Sequence, residues 1–204
     1  RSTIESSCFG IKLNAVGFPH SSQDTETMTC AQTTIWALLE YYGNKYNIYR
    51  PTTPSEIKRI LESFSYERQL PSSGLSYNQI SVALRSLGFG SKIYSKGQNV
   101  ERFNRLLACY VESGIPIVIA LQGKGIGHAV VCIGREDIDK SEVRNHQTIS
   151  PSGKKYYDWN DTVASKRIVL NDDNLPNYQL GSLSQPCCYY RQLVGPTSDW
   201  LQVE

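Results

Sequence analysis

Three side-chain types in this chain could together carry out nucleophilic chemistry: a cysteine at 30, a histidine at 128 and a carboxylate at 172 or 173. Cysteine attacks carbonyl carbon as its thiolate. It needs a base that stays in place, and that base needs an orienting partner. Cys30 opens the stretch Cys30-Ala31-Gln32-Thr33-Thr34-Ile35-Trp36-Ala37-Leu38-Leu39-Glu40-Tyr41-Tyr42-Gly43. Ala31, Ile35, Leu38, Leu39 and Tyr42 recur at helical spacing, which predicts a helix from about Cys30 to Tyr42 with one buried stripe. Thr27 and Thr29 are candidate N-caps, and Gly43 is the expected stop. A cysteine at the positive end of a helix dipole is favoured as thiolate. Read alone, Cys30 is equally a buried core residue, so its partners decide.

There are three histidines. His20 lies in the loop before the helix and His146 in a polar stretch. His128 opens an apolar run, His128 to Ile133, directly after a glycine-rich turn, so a sheet would hold it rigidly beside a cleft. It is the best-placed base. The orienter is sought at the end of the strand Ile168-Val169-Leu170. Asp172 is the first choice and Asp173 the second, with Asn171 also in contention. Strand alternation separates Asp172 and Leu170 from Asn171 and Val169 only until the strand ends. Gln23, seven residues before Cys30, could supply a side-chain amide to an oxyanion hole beside the Cys30 backbone N–H.

The elements that must position these groups follow from the pattern. Residues 1 to 29 read as extended or loop, with weak alternation at Phe9, Ile11 and Leu13. Pro54 starts a second helix with Ile57, Ile60, Leu61 and Phe64 as its apolar face. A third helix carries Leu75, Ile80, Val82, Ala83, Leu84 and Leu87 and ends at Gly88. Ile93 and Tyr94 suit a short strand. A fourth helix, about Val100 to Glu112, turns Phe103, Leu106, Leu107 and Val111 inward. Ile115 to Leu121 and His128 to Ile133 then read as a hairpin across the glycine turn. Residues 135–166 form a polar excursion with a hairpin expected around Tyr156 to Trp159. Gln179 to Leu183 and Cys188 to Val194 suit further strands. Helices first and strands later imply an α+β domain, a helical layer (about 20–112) on an antiparallel sheet (about 113–204), in one unit spanning 1–204.

These segments resemble the papain-like cysteine peptidases, and more closely their bacteriocin-processing, C39-like branch. The similar stretches are Cys30-Ala31 through Ala37-Leu38-Leu39-x-Tyr41-Tyr42-Gly43, then Ala83-Leu84-Arg85-x-Leu87-Gly88-Phe89. Ser113-Gly114-Ile115-Pro116-Ile117-Val118, Gly127-His128-Ala129-Val130-Val131-Cys132-Ile133-Gly134 and Ile168-Val169-Leu170-Asn171-Asp172 follow in order. The resemblance implies a papain-like fold. It further implies a Cys30–His128–Asp172 triad with Gln23 at the oxyanion, and thiol-dependent cleavage of a peptide or isopeptide bond through an acyl-enzyme. A deamidase or transpeptidase would use the same residues, and a silent cleft would leave a binding domain. The chain departs from the family in the longer Gln23-to-Cys30 interval, in Ala31 where Gly is common, and in Asp173 where Pro is usual.

Composition narrows the partners. With 21 Lys and Arg against 19 Asp and Glu, the net charge of +2 does not mark a nucleic-acid or anionic-membrane surface. The longest apolar run, Ile115 to Leu121, suits a buried strand and not a membrane span. Six cysteines, at 8, 30, 109, 132, 187 and 188, show neither a secreted framework nor a zinc spacing. Reduced thiols and an intracellular protein are favoured; a secreted or effector-type protein is compatible with a processed N-terminus. A peptide or protein substrate is expected, without metal or other cofactor. Gly123, Gly125 and Gly127 with Lys124 lead into a strand and not a helix, which argues against a phosphate loop.

Overall fold

The computed structural model describes residues 1–22, 30–64, 75–95, 97, 99–123, 126–137, 147–157, 167–182 and 202–203. It is a mixed α+β protein. Its described helices are α1 (Cys30–Lys45), α2 (Pro54–Phe64), α3 (Tyr77–Ser86) and α4 (Val100–Glu112). Its described strands are β1 (Ser2–Cys8), β2 (Ile11–Gly17), β3 (Ile117–Gly123), β4 (Ile126–Arg135), β5 (Gln147–Ile149), β6 (Lys155–Tyr157), β7 (Arg167–Asn171), β8 (Gln179–Ser182) and β9 (Gln202–Val203). A five-stranded sheet has the order β8-β7-β4-β3-β9, with β7–β8 and β3–β9 antiparallel. By contact density the chain forms two compact units. The first is Arg1–Ile93, Gly127–Val131 and Asn171–Asn177; the second is Tyr94–Ile126, Cys132–Leu170 and Tyr178–Glu204.

In the first unit, the N-terminal segment read as extended or loop forms an antiparallel hairpin, β1 with β2, in register from Ser2↔Gly17 to Cys8↔Ile11. Its two-residue turn places Phe9 at φ 49° and Gly10 at φ 80°. Both values suit the turn type that matches strand twist. Helix α1 continues past the expected stop, to Lys45. Gly43 is there because the chain returns against it: a Cβ on Gly43 would meet Pro51 N at 2.7 Å. Ala31, Ile35, Leu38 and Leu39 are buried as predicted, but Tyr41 takes the place expected for Tyr42. Phe18 stacks on Tyr41 at 5.0 Å between centroids, and that contact fixes which tyrosine turns inward. Tyr42 instead joins Tyr46, Tyr49 and Phe89 in an aromatic cluster. Helix α2 buries Ile57 and Leu61 and leaves Phe64 exposed. Helix α3 starts later than Leu75, because Ser76 and Gln79 form a capping box. It buries Ile80, Ser81 and Ala83, while Val82 faces solvent.

In the second unit, α4 has the predicted bounds and packs on β3. Leu107 and Val111 are buried; Phe103 and Leu106 are half-buried. No strand forms at Ile93 and Tyr94. The Ser91 carbonyl, in the first unit, is taken by the Arg85 guanidinium, and the Tyr94 hydroxyl, in the second, pairs with that of Tyr110. Strand β3 begins two residues later than expected, and β4 is longer at both ends. In the polar excursion, β5 and β6 form the expected hairpin, centred on Ser150 to Lys154 and so earlier than Tyr156. Arg135 pairs with Glu112, and Arg167 with Glu136. Trp159 and the strand expected at Cys188 to Val194 lie outside the described residues. Among the described residues, no helix is long and apolar enough to cross a membrane.

Candidate active site

Cys30 is the first residue of α1, at the end where backbone N–H groups have no intrahelical acceptor. Its side chain is half-buried. One turn on, Thr34 lies on the same helical face. Its buried hydroxyl donates to the Ala129 carbonyl at 3.0 Å. That bond ties the Cys30 face of α1 to the strand residue next to His128. Thr34 was not singled out in the sequence; a hydroxyl one turn after a candidate nucleophile, on the same helical face, was the available signal.

His128 and Ala129 to Val131 are all buried, as befits a central strand covered on both faces. The His128 Nε2–H donates to Asp172 Oδ1 at 2.9 Å. Asp172 is fully buried and sits just past the end of β7, the strand next to β4. The same oxygen accepts the Asn174 N–H at 2.9 Å, so a local turn fixes the carboxylate while it holds the imidazole. Burial disfavours a charge on His128. Hydrogen bonds to Asp172 and then to Cys30, with the charges of both, outweigh it and push the imidazole up to about 10. Nε2 faces Asp172, which leaves Nδ1 to serve Cys30. All three residues belong to the first compact unit.

The competitors for the orienting role separate cleanly. Asn171 turns to the loop before α1, donating to the Pro19 carbonyl at 3.0 Å and lying 3.3 Å from His20 Nδ1. His20 thus braces the loop before α1. Asp173 Oδ1 is 3.8 Å from His128 Nε2, close enough for charge but too far for a hydrogen bond. Burial raises the Asp173 carboxyl to about 6, with His128 opposing and Asp172 adding to the rise. Gln23 and His146 lie outside the described residues, as do the candidate caps Thr27 and Thr29. The sequence spacing offered no metal set, yet folding gathers His128, Asp172 and Asp173 with donor atoms within 4.8 Å of one another. Forty-four residues separate the imidazole from the nearer carboxylate, so no local motif could announce it.

A thiol, an imidazole and a carboxylate thus stand in a row, with the thiol on the first residue of α1. No protein-family model matches this chain, and neither a curated protein nor a solved structure does.

Proposed function

We propose that the protein is a cysteine-dependent acyl-transfer hydrolase of papain-like architecture, acting as a peptidase on a peptide or isopeptide bond. The observation that carries this reading is His128, hydrogen-bonded to Asp172 on one side and to Cys30 on the other. The order of the segments from Cys30 to Asp172, and the family they resemble, support it.

In this reading the Cys30 thiol gives its proton to His128, and the sulfur attacks the substrate carbonyl. The developing oxyanion is met by the Cys30 backbone N–H at the start of α1, with Gln23 as the expected side-chain donor. His128 passes its proton to the leaving amine, and a thioester remains on Cys30. Water, deprotonated by His128, then releases the acid and restores the thiol. Asp172 holds the ring and stabilises its charge throughout. An amine in place of water would make the same apparatus a transpeptidase, and a side-chain amide substrate would make it a deamidase.

The test is incubation with a complex peptide library, with new termini read by mass spectrometry. Wild type is expected to generate new termini, and Cys30→Ala none. Cleavage retained in Cys30→Ala overturns the assignment. Thiol reactivity at Cys30 without any cleavage, amide loss or transfer favours a binding domain on the same fold.

A further inference from the structure

The hairpin of β1 and β2 ends in an edge left open. Among the described residues it is a sheet of two strands, and every residue from Ile11 to Val16 is exposed. The register sets Ile4, Ser6 and Cys8 on one face with Ile11, Leu13 and Ala15. Thr3, Glu5 and Ser7 share the other face with Lys12, Asn14 and Val16. The first face starts against α1, where Ser2 is buried and Ile4 half-buried. It continues outward as Leu13 and Ile11, 51% and 65% exposed. A two-residue turn makes Cys8↔Ile11 a hydrogen-bonded pair. Along β2, the backbone groups of Ile11, Leu13 and Ala15 therefore face β1, and those of Lys12, Asn14 and Val16 face outward.

Sheet edges are normally blocked by proline, charge, a bulge or shortness. β2 has seven residues, no proline, an unbroken register and one charged side chain, Lys12. A strand that pairs with it must offer outward N–H and C=O groups, an apolar face on the matching side and a negative charge for Lys12. The same edge of a second copy meets all three needs. With Leu13 opposite Leu13 of the second copy, the outward groups of Lys12 meet those of Asn14 and the reverse, while Ile11 faces Ala15. The apolar face then runs unbroken across four strands. On the other face, Glu5 lies opposite Asn14 in its own hairpin, and Lys12 of the second copy takes the next place in that row. The two opposite charges stem from strands about 10 Å apart, within reach of two long side chains. Centring the pair on Lys12 would instead set two cations face to face, and centring it on Asn14 would put each Lys12 beside Val16. Charge complementarity thus selects the register centred on Leu13.

We propose that the protein self-associates through β2 into a two-fold dimer whose hairpins form one four-stranded antiparallel sheet. The contact is isologous and closes on itself, so it stops at two copies. It uses none of Cys30, His128 or Asp172 and stands apart from the peptidase reading.

The experiment is sedimentation velocity of the full chain carrying Cys8→Ser, which removes the exposed thiol beside Ile11. A monomer–dimer equilibrium in the micromolar range is expected. Asn14→Pro removes an outward N–H, and Leu13→Lys sets two cations opposite each other. Each should weaken association at least tenfold, and Leu13→Lys serves if the proline distorts β2. Register is read by cross-linking. Residues at position 13 would meet in a non-hydrogen-bonded pair about 4.5 Å apart at Cα, within disulfide range. In the same background, Leu13→Cys should oxidise to a covalent dimer at least tenfold faster than Lys12→Cys or Asn14→Cys. A chain that stays monomeric throughout, or whose edge takes up only an unrelated strand, overturns the proposal. A dimer indifferent to both substitutions, or cross-linked equally from positions 12, 13 and 14, overturns it as well.

Discussion

Replacing Asp172 by Ala removes a fully buried carboxylate 2.9 Å from His128 Nε2, and its effect should depend on pH in a defined direction. His128 is raised from 6.5 to about 10 in the folded protein. Below pH 6.5 the imidazole is charged in both the folded and unfolded states, and the stability from its partners is fully present. As pH rises through about 10 the folded protein releases that proton and the stability is lost. One proton held only by the folded state gives a slope of up to about 1.4 kcal/mol per pH unit. Over the interval from 6.5 to about 10, roughly 5 kcal/mol is the ceiling. Cys30 accounts for part of that rise, and breaking a buried pair costs about 3–5 kcal/mol. Asp172→Ala should therefore destabilise by about 3 kcal/mol near pH 6.5, lowering the urea midpoint by roughly 1–2 M. The gap to wild type should shrink to about half or less by pH 10. Urea unfolding by circular dichroism across pH 6 to 10 measures it. Asp173, whose carboxyl Asp172 helps to raise to about 6, titrates at the low end of this range, so the slope is read from pH 7 to 10. Asp172→Asn keeps the acceptor for the Asn174 N–H and serves if the Ala variant does not fold. A difference below about 1 kcal/mol, or one independent of pH, would refute the charged His128–Asp172 pair.

Thr34→Val keeps the shape of α1 but removes the hydrogen bond to the buried Ala129 carbonyl, so unfolding free energy should fall by about 0.5–1.5 kcal/mol in urea titration. The same variant should slow Cys30 alkylation, since the bond holds the helix face beside His128; an unchanged rate would deny it that positioning role. Gly43→Ala places a methyl 2.7 Å from Pro51 N, which is backbone and cannot swing aside. A loss of about 1–3 kcal/mol is expected, and a stabilised variant would mean the chain does not return there. Burial pushes the Cys132 thiol up to about 12, so it should stay unlabelled in the folded protein at pH 8 and label only on unfolding.

The positions of Cys30 and His128 were legible because each lies in a long element with a strong pattern. The choice between Asp172 and Asp173 was not fully legible. It turns on where β7 stops, and Asp172 wins because its carboxylate accepts from Asn174 while it reaches His128. Gly43 read as a helix stop because local sequence shows a glycine's freedom but not the proline that packs against it 8 residues later. The β1–β2 hairpin was missed for a related reason: Phe9 occupies a left-handed position usually given to Asn or Gly, so the turn lacked its signature. Thr34 and the His128–Asp172–Asp173 cluster depend on contacts across 95 and 44 residues, which no periodicity encodes.

The most direct test of the thiol–imidazole pair is the pH dependence of alkylation at each cysteine, mapped by mass spectrometry in wild type and His128→Ala. Cys30 should react at lower pH than the exposed Cys8 and Cys109, and His128→Ala should remove that advantage. A Cys30 that follows Cys8 and Cys109 in both proteins would contradict the account.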